Sequence, residues 1–248
     1  MNAPLLQAKD LHVAFHGVQA ANGVNLEIRE GEFLAIIGPN GSGKTTFLNL
    51  CTGYIRPKSG AVYLDGKAIT AMAPRQIARR GIARAFQIPQ LFLEQTVIEN
   101  LMIAVAARRG IWVPFRALGA SGRRQEAQDL LALAGLEGEA DQLANALPEG
   151  RRKLLDIVVA LALKPRLLLL DEPTSGVSTI ERFSLMETLM DALRRAKVTA
   201  LFVEHDMDVV QRYADRVLVW DSGSVMAEGA PADVFKDPRV LRSVVGVG

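Results

Sequence analysis

Apolar and polar positions change their spacing twice along the chain, and these changes mark three stretches. Residues 11–36 alternate as short strands, and the continuous apolar run 33–37 predicts a strand that is covered on both faces. From about residue 88 to residue 163, apolar side chains recur every three or four positions, which predicts helices. After Arg166 the alternation of strands and helices returns. The pattern therefore predicts an α/β core into which a helical lobe is inserted.

Turn residues and spacing together predict the individual elements. The segment "KTTFLNLCTG" predicts a helix that ends at Gly53, and "GAVYLDGKAI" predicts a hairpin with Asp65-Gly66 at its turn. The remaining predicted elements are a loop at 110–122, strands at 167–171, 198–203 and 216–220, helices at 179–195 and 206–214, a hairpin near Ser222-Gly223 and a short C-terminal helix. We interpret the chain, 1–248, as one domain, with 1–87 and 164–248 as the α/β core and 88–163 as the helical subdomain.

Composition narrows the class of protein. The 248 residues are 49% hydrophobic, which is enough to bury a sizeable core. With 29 basic and 27 acidic residues, the net charge of +2 is too even to predict nucleic-acid binding. A single cysteine, Cys51, excludes an internal disulfide framework and favours a reducing compartment. No secretory signal is visible, and Lys164-Pro165-Arg166 interrupts the most apolar run, so we expect a soluble, cytosolic chain.

The stretch "GPNGSGKT" at 38–45 has the spacing of a phosphate-binding loop. Glycines at 38, 41 and 43 allow the backbone to turn its N–H groups inward around an anion, and the following helix adds its positive N-terminal end. Lys44 supplies a point charge for the outer phosphates, and Thr45 supplies a hydroxyl for Mg²⁺. An ordinary glycine-rich turn would not require both an apolar strand before the loop and a helix after it.

Two acids end the apolar run "RLLLLDEP". Asp171, at the end of the predicted strand, is placed to hold Mg²⁺ directly or through water. Glu172 is placed to orient or deprotonate an attacking water molecule. An acidic strand end is common on its own, but together with the phosphate loop it indicates nucleotide hydrolysis.

With these two motifs the sequence resembles the nucleotide-binding subunits of ABC transporters. "GPNGSGKT" is similar to their Walker A motif and "LLLLDEP" to their Walker B motif. "ARAFQIPQLF" resembles their Q-loop, with Gln87 as its glutamine, and "LFVEHD" resembles their switch strand, with His205 as its histidine. Phe15 stands where an aromatic residue normally stacks on adenine. The resemblance covers nearly the entire chain.

The resemblance implies ATP and Mg²⁺ as ligands. It implies catalytic roles for Glu172 and His205, and it implies that Thr45, Gln87 and Asp171 hold the metal. The residues implied to bind nucleotide are Phe15, Gly38, Asn40, Gly41, Ser42, Gly43, Lys44, Thr45, Thr46, Gln87, Asp171 and Gly150. The implied fold is a P-loop NTPase (RecA-like) core with an N-terminal antiparallel β-subdomain and an inserted α-helical subdomain.

The resemblance also implies partners and a place in the cell. The implied partners are membrane permease subunits, a second ABC ATPase subunit in a hetero- or homodimer and, indirectly, an extracytoplasmic solute-binding protein. The implied location is peripheral, at the cytoplasmic face of the inner or plasma membrane. The segments "GIARAFQIPQLFLEQTVIENL" and "AEGAPADVFKDPRVLRSVVG" resemble the subfamily that takes up branched-chain amino acids, which also includes carriers of urea and amides. Leu91 and Phe92 are candidate contacts for a coupling helix of the permease.

The segment "LPEGR" at 147–151 departs from the family's "LSGGQ" signature, which touches the γ-phosphate of the other subunit's ATP. Gly150 is retained, but Pro148 removes a hydroxyl and an N–H group. One hydrogen bond to a charged group contributes roughly 1.5–3 kcal/mol. Glu149 either points at that phosphate, adding about 3 kcal/mol of repulsion at about 6 Å, or points away. In the first orientation Arg151 and Arg152 would offset part of the repulsion. We hypothesise a heterodimer with one weaker composite site.

A second departure follows the Walker B motif, where Ser178 replaces an acid that the family often carries. Ser178 and Glu181 form an S-x-x-E pattern, which predicts a capping box at the start of the next helix.

Two other functions share the phosphate loop. A soluble ABC ATPase that acts on nucleic acid or ribosomes usually has two cassettes, coiled coils or zinc modules. A small-molecule kinase would not explain the Q-loop together with "VEHD".

Overall fold

The computed structural model describes residues 3–15, 17–110 and 121–245. By internal packing the chain separates into two compact units, the first comprising Met1–Ile82 and Thr199–Gly248 and the second comprising Ala83–Val198. The predicted division into a core and a helical subdomain stays a prediction.

Strands are distributed along the whole chain. Their bounds are β1 (Leu6–Phe15), β2 (Val18–Ile28), β3 (Phe33–Ile37), β4 (Ser59–Leu64), β5 (Lys67–Ala68), β6 (Ile82–Ala85), β7 (Leu167–Asp171), β8 (Thr199–Val203), β9 (Arg216–Asp221) and β10 (Ser224–Gly229). The bounds of the α-helices are α1 (Lys44–Cys51), α2 (Pro74–Arg79), α3 (Val97–Arg108), α4 (Ser121–Leu133), α5 (Glu149–Leu161), α6 (Thr179–Ala196), α7 (Met207–Tyr213), α8 (Pro231–Val234) and α9 (Pro238–Val245). None of the helices in the described ranges combines the length and apolar character needed to cross a bilayer.

The first unit contains two groups of strands. An antiparallel sheet has the order β2-β1-β4-β5, and Leu6 on β1 faces both Ile28 and Leu64 in its register. The other strands of the unit follow the order β10-β9-β3-β8, in which β3 pairs in parallel with β8 and β9. Every residue of β3 and β8 is buried, because parallel strands are covered on both faces. The rings of Phe47 and Trp220 pack behind the phosphate loop, 5.2 Å apart.

The second unit is mainly helical, with β7 next to β6. Its helices α3, α4 and α5 pack against one another. Glu126 on α4 accepts hydrogen bonds from Arg108 at 2.7 Å and from Arg109 at 2.7 Å, and it lies 3.1 Å from the ammonium of Lys164. The hydrogen bond from Arg108 is the main cause that lowers the pKa of Glu126 to about 2. This carboxylate therefore ties α4 to the end of α3 and to the segment after α5.

Most predicted elements are present, and those that were not predicted are short or contain charged residues. The strand bounds 33–37 and 167–171 are confirmed, as are the Asp65-Gly66 turn and the capping of α1 near Gly53, where φ is +74°. The sequence did not predict α2, β6 or the first residues of β1, which are short or carry charged residues within the pattern. Residues 111–120 of the predicted loop lie outside the described residues, and α4 begins just after them.

Candidate active site

The phosphate loop joins β3 to α1 in the first unit, and two of its glycines are required by close backbone approach. A Cβ atom at Gly38 would lie 2.0 Å from the carbonyl oxygen of Trp220, and one at Gly43 would lie 2.0 Å from that of Ala20. Gly41 has φ +76°, which glycine adopts without strain. The loop can therefore keep this path only with glycine at these positions.

Lys44 begins α1, and its ammonium is directed back into the loop. The Nζ atom donates to the carbonyl oxygens of Gly38 at 2.7 Å and Pro39 at 2.8 Å, and the side chain is buried. Near it lies the hydroxyl of Ser42, which is buried and has no hydrogen-bond partner within the described part of the chain. A buried hydroxyl of this kind needs a partner. The loop therefore fits a bound anion, which offers oxygen atoms to both the ammonium and the hydroxyl.

The remaining predicted residues of the first unit lie near strand ends and in the phosphate loop. Phe15 ends β1 with 43% of its surface exposed, so its ring is accessible for stacking. His205 is exposed directly after β8, and its backbone N–H donates to the carboxylate of Glu204 at 3.2 Å. Asp206 caps the next helix by accepting hydrogen bonds from the N–H groups of Asp208 and Val209. Asn40 and Thr45 are exposed and Thr46 is half-buried in the segment that joins β3 to α1.

In the second unit the structure brings Gln87 and Glu172 together. The amide nitrogen of Gln87 donates to the carboxylate of Glu172 at 2.8 Å. Glu172 has φ +50°, a left-handed conformation that costs a residue with a side chain about 1–3 kcal/mol. Its carbonyl oxygen accepts from the N–H of Ser175 at 3.1 Å and from the ammonium of Lys153 at 3.2 Å. The strained position aims a half-buried carboxylate at the amide of Gln87.

Asp171, the last residue of β7, is buried and ion-paired. Its Oδ2 atom accepts a hydrogen bond from the guanidinium of Arg84 on β6 at 2.6 Å, and both side chains are almost fully buried. The cation compensates the cost of burying the carboxylate. Arg84 was not predicted from the sequence, where its only signal is a charged residue within the apolar segment "GIARAF".

The signature segment begins α5, and its Glu149 lies over a glycine of the same unit. A Cβ atom at Gly176 would lie 2.3 Å from Oε1 of Glu149, so this side chain occupies the space that Gly176 leaves open. Arg151 is held by Glu139 and by the carbonyl oxygen of Gly135, at 2.7 Å. The expectation that Arg151 and Arg152 offset part of the repulsion stays a prediction.

A cavity of about 280 Å³ adjoins this segment. Gly150 lines it together with Val177, Leu185 and Thr188. Beside it, Ser178 caps α6 as predicted, because its hydroxyl accepts from the N–H of Glu181 at 3.3 Å. The carboxylate of Glu181 accepts from that hydroxyl at 2.8 Å, whereas the predicted capping box directs it to the backbone N–H of Ser178. The start of α5 has no such side-chain cap, since its N-cap residue is Pro148.

Asp156, which lies one turn beyond Lys153 on α5, was not predicted from the sequence either. It accepts hydrogen bonds from the backbone N–H groups of Phe86 at 3.2 Å and Gln90 at 2.9 Å. Burial raises the pKa of Asp156 to about 6, against the opposing effect of these two donors. The signal in the sequence was a single acid within the apolar run "LLDIVVALAL".

Comparison with known proteins identifies the class. Residues 21–175 match the family described as "ABC transporter". The chain is 37% identical to a probable branched-chain amino acid transport ATP-binding protein, LivG, of Archaeoglobus fulgidus, covering 98% of this chain and 95% of the relative. It is 36% identical to the high-affinity branched-chain amino acid transport ATP-binding protein LivG of Salmonella typhimurium, covering 99% of both. The chain therefore belongs to the ABC transporter family.

Solved structures agree with this assignment. The ADP conformation of MJ1267, an ATP-binding cassette of an ABC transporter, has a TM-score of 0.86 at 30% identity and covers 99% of this chain and 100% of that chain. A dimeric post-hydrolysis state of the cassette MJ0796, bound to ADP and Pi, has a TM-score of 0.77 at 28% identity and covers 91% of this chain and 98% of that chain. The expected fold is confirmed, and the chain is a nucleotide-binding ATPase subunit of this family. These matches favour neither the nucleic-acid function nor the kinase.

Proposed function

We propose that this chain hydrolyses ATP to power the uptake of branched-chain amino acids, or of a related small polar solute, through a membrane permease. The observation that carries the catalytic part is the hydrogen bond of 2.8 Å between Gln87 and Glu172. It joins the glutamine of the Q-loop to the carboxylate of Glu172, which follows Asp171 and has a left-handed backbone conformation. The solute is suggested by relatives that are similar over nearly their whole length.

The phosphate loop has the chemistry for the triphosphate. Lys44 supplies the positive charge, and the hydroxyl of Ser42 and the loop N–H groups supply hydrogen bonds. The positive end of α1 adds to the attraction for an anion. Phe15 offers an exposed ring on which adenine can stack, and Asn40, Gly41, Thr45 and Thr46 complete the predicted set.

The predicted metal ligands have the chemistry that Mg²⁺ prefers. Thr45, Gln87 and Asp171 offer a hydroxyl, an amide and a carboxylate oxygen, which are hard donors. Gln87 uses its amide nitrogen toward Glu172, so its amide oxygen is the atom suited to a cation. When bound, Mg²⁺ neutralises charge that develops on the phosphate oxygens.

Glu172 and His205 carry the catalytic step in this proposal. Glu172 accepts a hydrogen bond from the attacking water molecule and orients it, and Gln87 holds that carboxylate in place. His205 contributes a hydrogen bond to the outer phosphate in the transition state, where negative charge increases. The next residue, Asp206, caps α7 by accepting from the N–H of Asp208.

The proposed assembly contains two cassettes and a permease at the cytoplasmic face of the membrane, fed by an extracytoplasmic solute-binding protein. Support for a dimer comes from the dimeric cassette among the similar structures. Support for a permease contact comes from four exposed apolar side chains in the second unit. They are Ile88, Phe92, Leu93 and Leu143. We call these four residues the apolar patch.

The altered signature supports a heterodimer with unequal sites. Pro148 supplies neither the hydroxyl nor the N–H of the family's serine, whichever way Glu149 points. Glu149 lies over Gly176 of its own chain, so the missing donors of Pro148 carry more of the hypothesis than the charge of Glu149 does. The composite site that receives this segment is then the weaker of the two.

The test is Glu172→Gln in the transporter reconstituted with its permeases in vesicles. The amide keeps the hydrogen-bond geometry but is a far weaker base, so we expect ATP turnover to fall by about 100-fold or more, within the range for loss of an acid–base group. Nucleotide binding should persist, with an ATP-bound dimer on gel filtration. Unimpaired turnover would remove Glu172 from this role.

The same vesicles test the solute. Wild-type transporter should accumulate labelled leucine, isoleucine or valine in an ATP-dependent way, and the Glu172→Gln transporter should not. Urea and a simple amide serve as competitors of the related solute classes. Stimulation of ATP turnover by urea or amide, without uptake of any branched-chain amino acid, would contradict the amino-acid proposal while leaving the ATPase role intact.

A further inference from the structure

Gln87 lies in a segment without regular secondary structure, between β6 and α3. Such a segment needs external contacts to keep one conformation. The carboxylate of Asp156 provides two of them, because Oδ2 accepts from the N–H of Phe86 at 3.2 Å and Oδ1 accepts from the N–H of Gln90 at 2.9 Å. One side chain therefore fixes the backbone on both sides of Gln87.

The placement of this acid calls for an explanation beyond packing. Asp156 is only 6% exposed and lies on the buried side of α5, next to Leu155 and Ile157 in the sequence. Burial of a carboxylate is unfavourable unless hydrogen bonds compensate it, and here both donors belong to the backbone beside Gln87. The raised pKa of Asp156 reflects the same unfavourable burial.

Lys153 makes the corresponding contact on the other side of the Gln87–Glu172 hydrogen bond. It lies one turn before Asp156 on α5, is 4% exposed, and donates to the carbonyl oxygen of Glu172 at 3.2 Å. Glu172 has a left-handed backbone, so contacts to its main chain help to keep its side chain aimed at Gln87. Neighbouring turns of one rigid helix thus hold the backbone of both partners.

We propose that Asp156, assisted by Lys153, is a positioning residue that keeps the side chain of Gln87 within hydrogen-bond distance of the carboxylate of Glu172. Neither residue is proposed to touch ATP. The inference rests on the proposed catalytic role of Glu172 and adds that α5, the helix that begins at the signature segment, maintains the distance between the two side chains. Loss of Asp156 should therefore impair the chemical step more than nucleotide binding.

The experiment measures kcat and KM for ATP in the assembled transporter carrying Asp156→Asn. The amide is isosteric, but only one of its two polar atoms can accept a hydrogen bond, so one flank of the loop is released. We expect kcat to fall about tenfold while KM changes less than twofold. Asp156→Glu should recover part of kcat, because it restores both acceptor oxygens. If kcat falls equally in Asp156→Asn and Asp156→Glu, the positioning role is overturned.

A double-mutant cycle with Gln87→Ala separates positioning from general destabilisation. If Asp156 acts through Gln87, Asp156→Asn should cause no further fall in kcat once Gln87 is alanine. Full additivity of the two effects would overturn the proposal. Glu126→Gln is the control, because it also removes a multiply hydrogen-bonded carboxylate from the second unit but does not contact this segment. It should lower thermal stability and leave kcat unchanged.

Two further measurements keep the outcomes distinct. Should the Asp156→Asn transporter fail to assemble, Lys153→Met replaces it in the same cycle, with Glu172→Ala as the second change, and additivity again overturns the proposal. Glu172→Gln is assayed alongside. If Glu172→Gln abolishes turnover and Asp156→Asn does not alter it, the positioning role fails alone. If Glu172→Gln has no effect, the proposed catalytic role itself fails.

Discussion

Glu126 and Asp156 both carry a carboxylate, but their pKa values shift in opposite directions. Glu126 has three basic partners, and the hydrogen bond from Arg108 is the largest cause of a pKa of about 2. Asp156 has only backbone donors, and burial raises its pKa to about 6. The comparison separates a carboxylate that stabilises the fold from one that costs stability to hold a loop in place.

Glu126 makes stability depend on pH in a predictable direction. Its folded-state pKa of about 2 lies below the unfolded value of about 4.5, so its contribution is complete above pH 4.5 and is lost as the pH falls from 4.5 toward 2. We expect Glu126→Gln to lower the free energy of unfolding by about 1.5–3 kcal/mol at pH 7. Urea denaturation of both proteins at pH 7 and pH 3 checks this, and a difference that stays the same at pH 3 would contradict it.

Residue roles could be predicted from sequence only where the motif contains the residue. Lys44 and Glu172 stand at fixed positions in ordered motifs, so their roles could be predicted from spacing. Asp156 contacts the backbone 66 and 70 positions away, and nothing beside it in the sequence names those partners. Arg84 likewise acquires its partner, Asp171, only when β6 and β7 become neighbours.

At the scale of elements, hydrophobic spacing predicted the strands that are buried on both faces. Every residue of β3 and β7 is buried, so their apolar runs are uninterrupted and their bounds are sharp. The four-residue β6 contains Arg84, which breaks the run, and its partner strand lies far along the chain. Short strands of this kind are specified by long-range pairing, which local spacing does not report.

The start of α5 allows a test of the altered signature. We expect Pro148→Ser with Glu149→Gly to raise the ATP turnover of the assembled transporter, because it restores a hydroxyl and a backbone N–H to the contact with the partner's nucleotide. One such hydrogen bond is equivalent to about tenfold to a hundredfold in that contact. Turnover is measured at saturating ATP.

Glu149→Gly alone is the matched control for this pair. Because Glu149 lies over Gly176 of its own chain, the single change should produce the smaller part of the gain. An unchanged rate in the double variant would end the hypothesis of a weaker composite site. A gain produced wholly by the single variant would show instead that the charge of Glu149 is the inhibitory element.

At the scale of the whole molecule, the apolar patch stands out because its side chains are exposed and do not belong to the hydrophobic core. Phe92 is 58% exposed and Ile88 is 75% exposed. The backbone hydrogen bond from Asn145 to Leu93, at 3.2 Å, brings Leu143 close to Leu93 in space. Contiguous exposed apolar residues typically mark an interaction site.

We expect Phe92→Ser to weaken assembly with the permease about tenfold or more, as for loss of an aromatic anchor, while the purified subunit keeps its stability and ATP affinity. Pull-down with the tagged permease and thermal unfolding measure the two properties. Ile180→Ser, which removes an exposed apolar side chain elsewhere in the second unit, is the control. Equal loss of permease binding in both variants would contradict a specific role for the patch.

The two carbonyl contacts of Lys44 have a consequence for kinetics. The ammonium of Lys44 is already hydrogen-bonded to the carbonyl oxygens of Gly38 and Pro39. The loop therefore requires little rearrangement before a nucleotide can bind. A receptor shaped in advance loses little conformational freedom on association. Substitutions around this loop should then change chiefly how long a nucleotide stays, with its rate of arrival nearly constant.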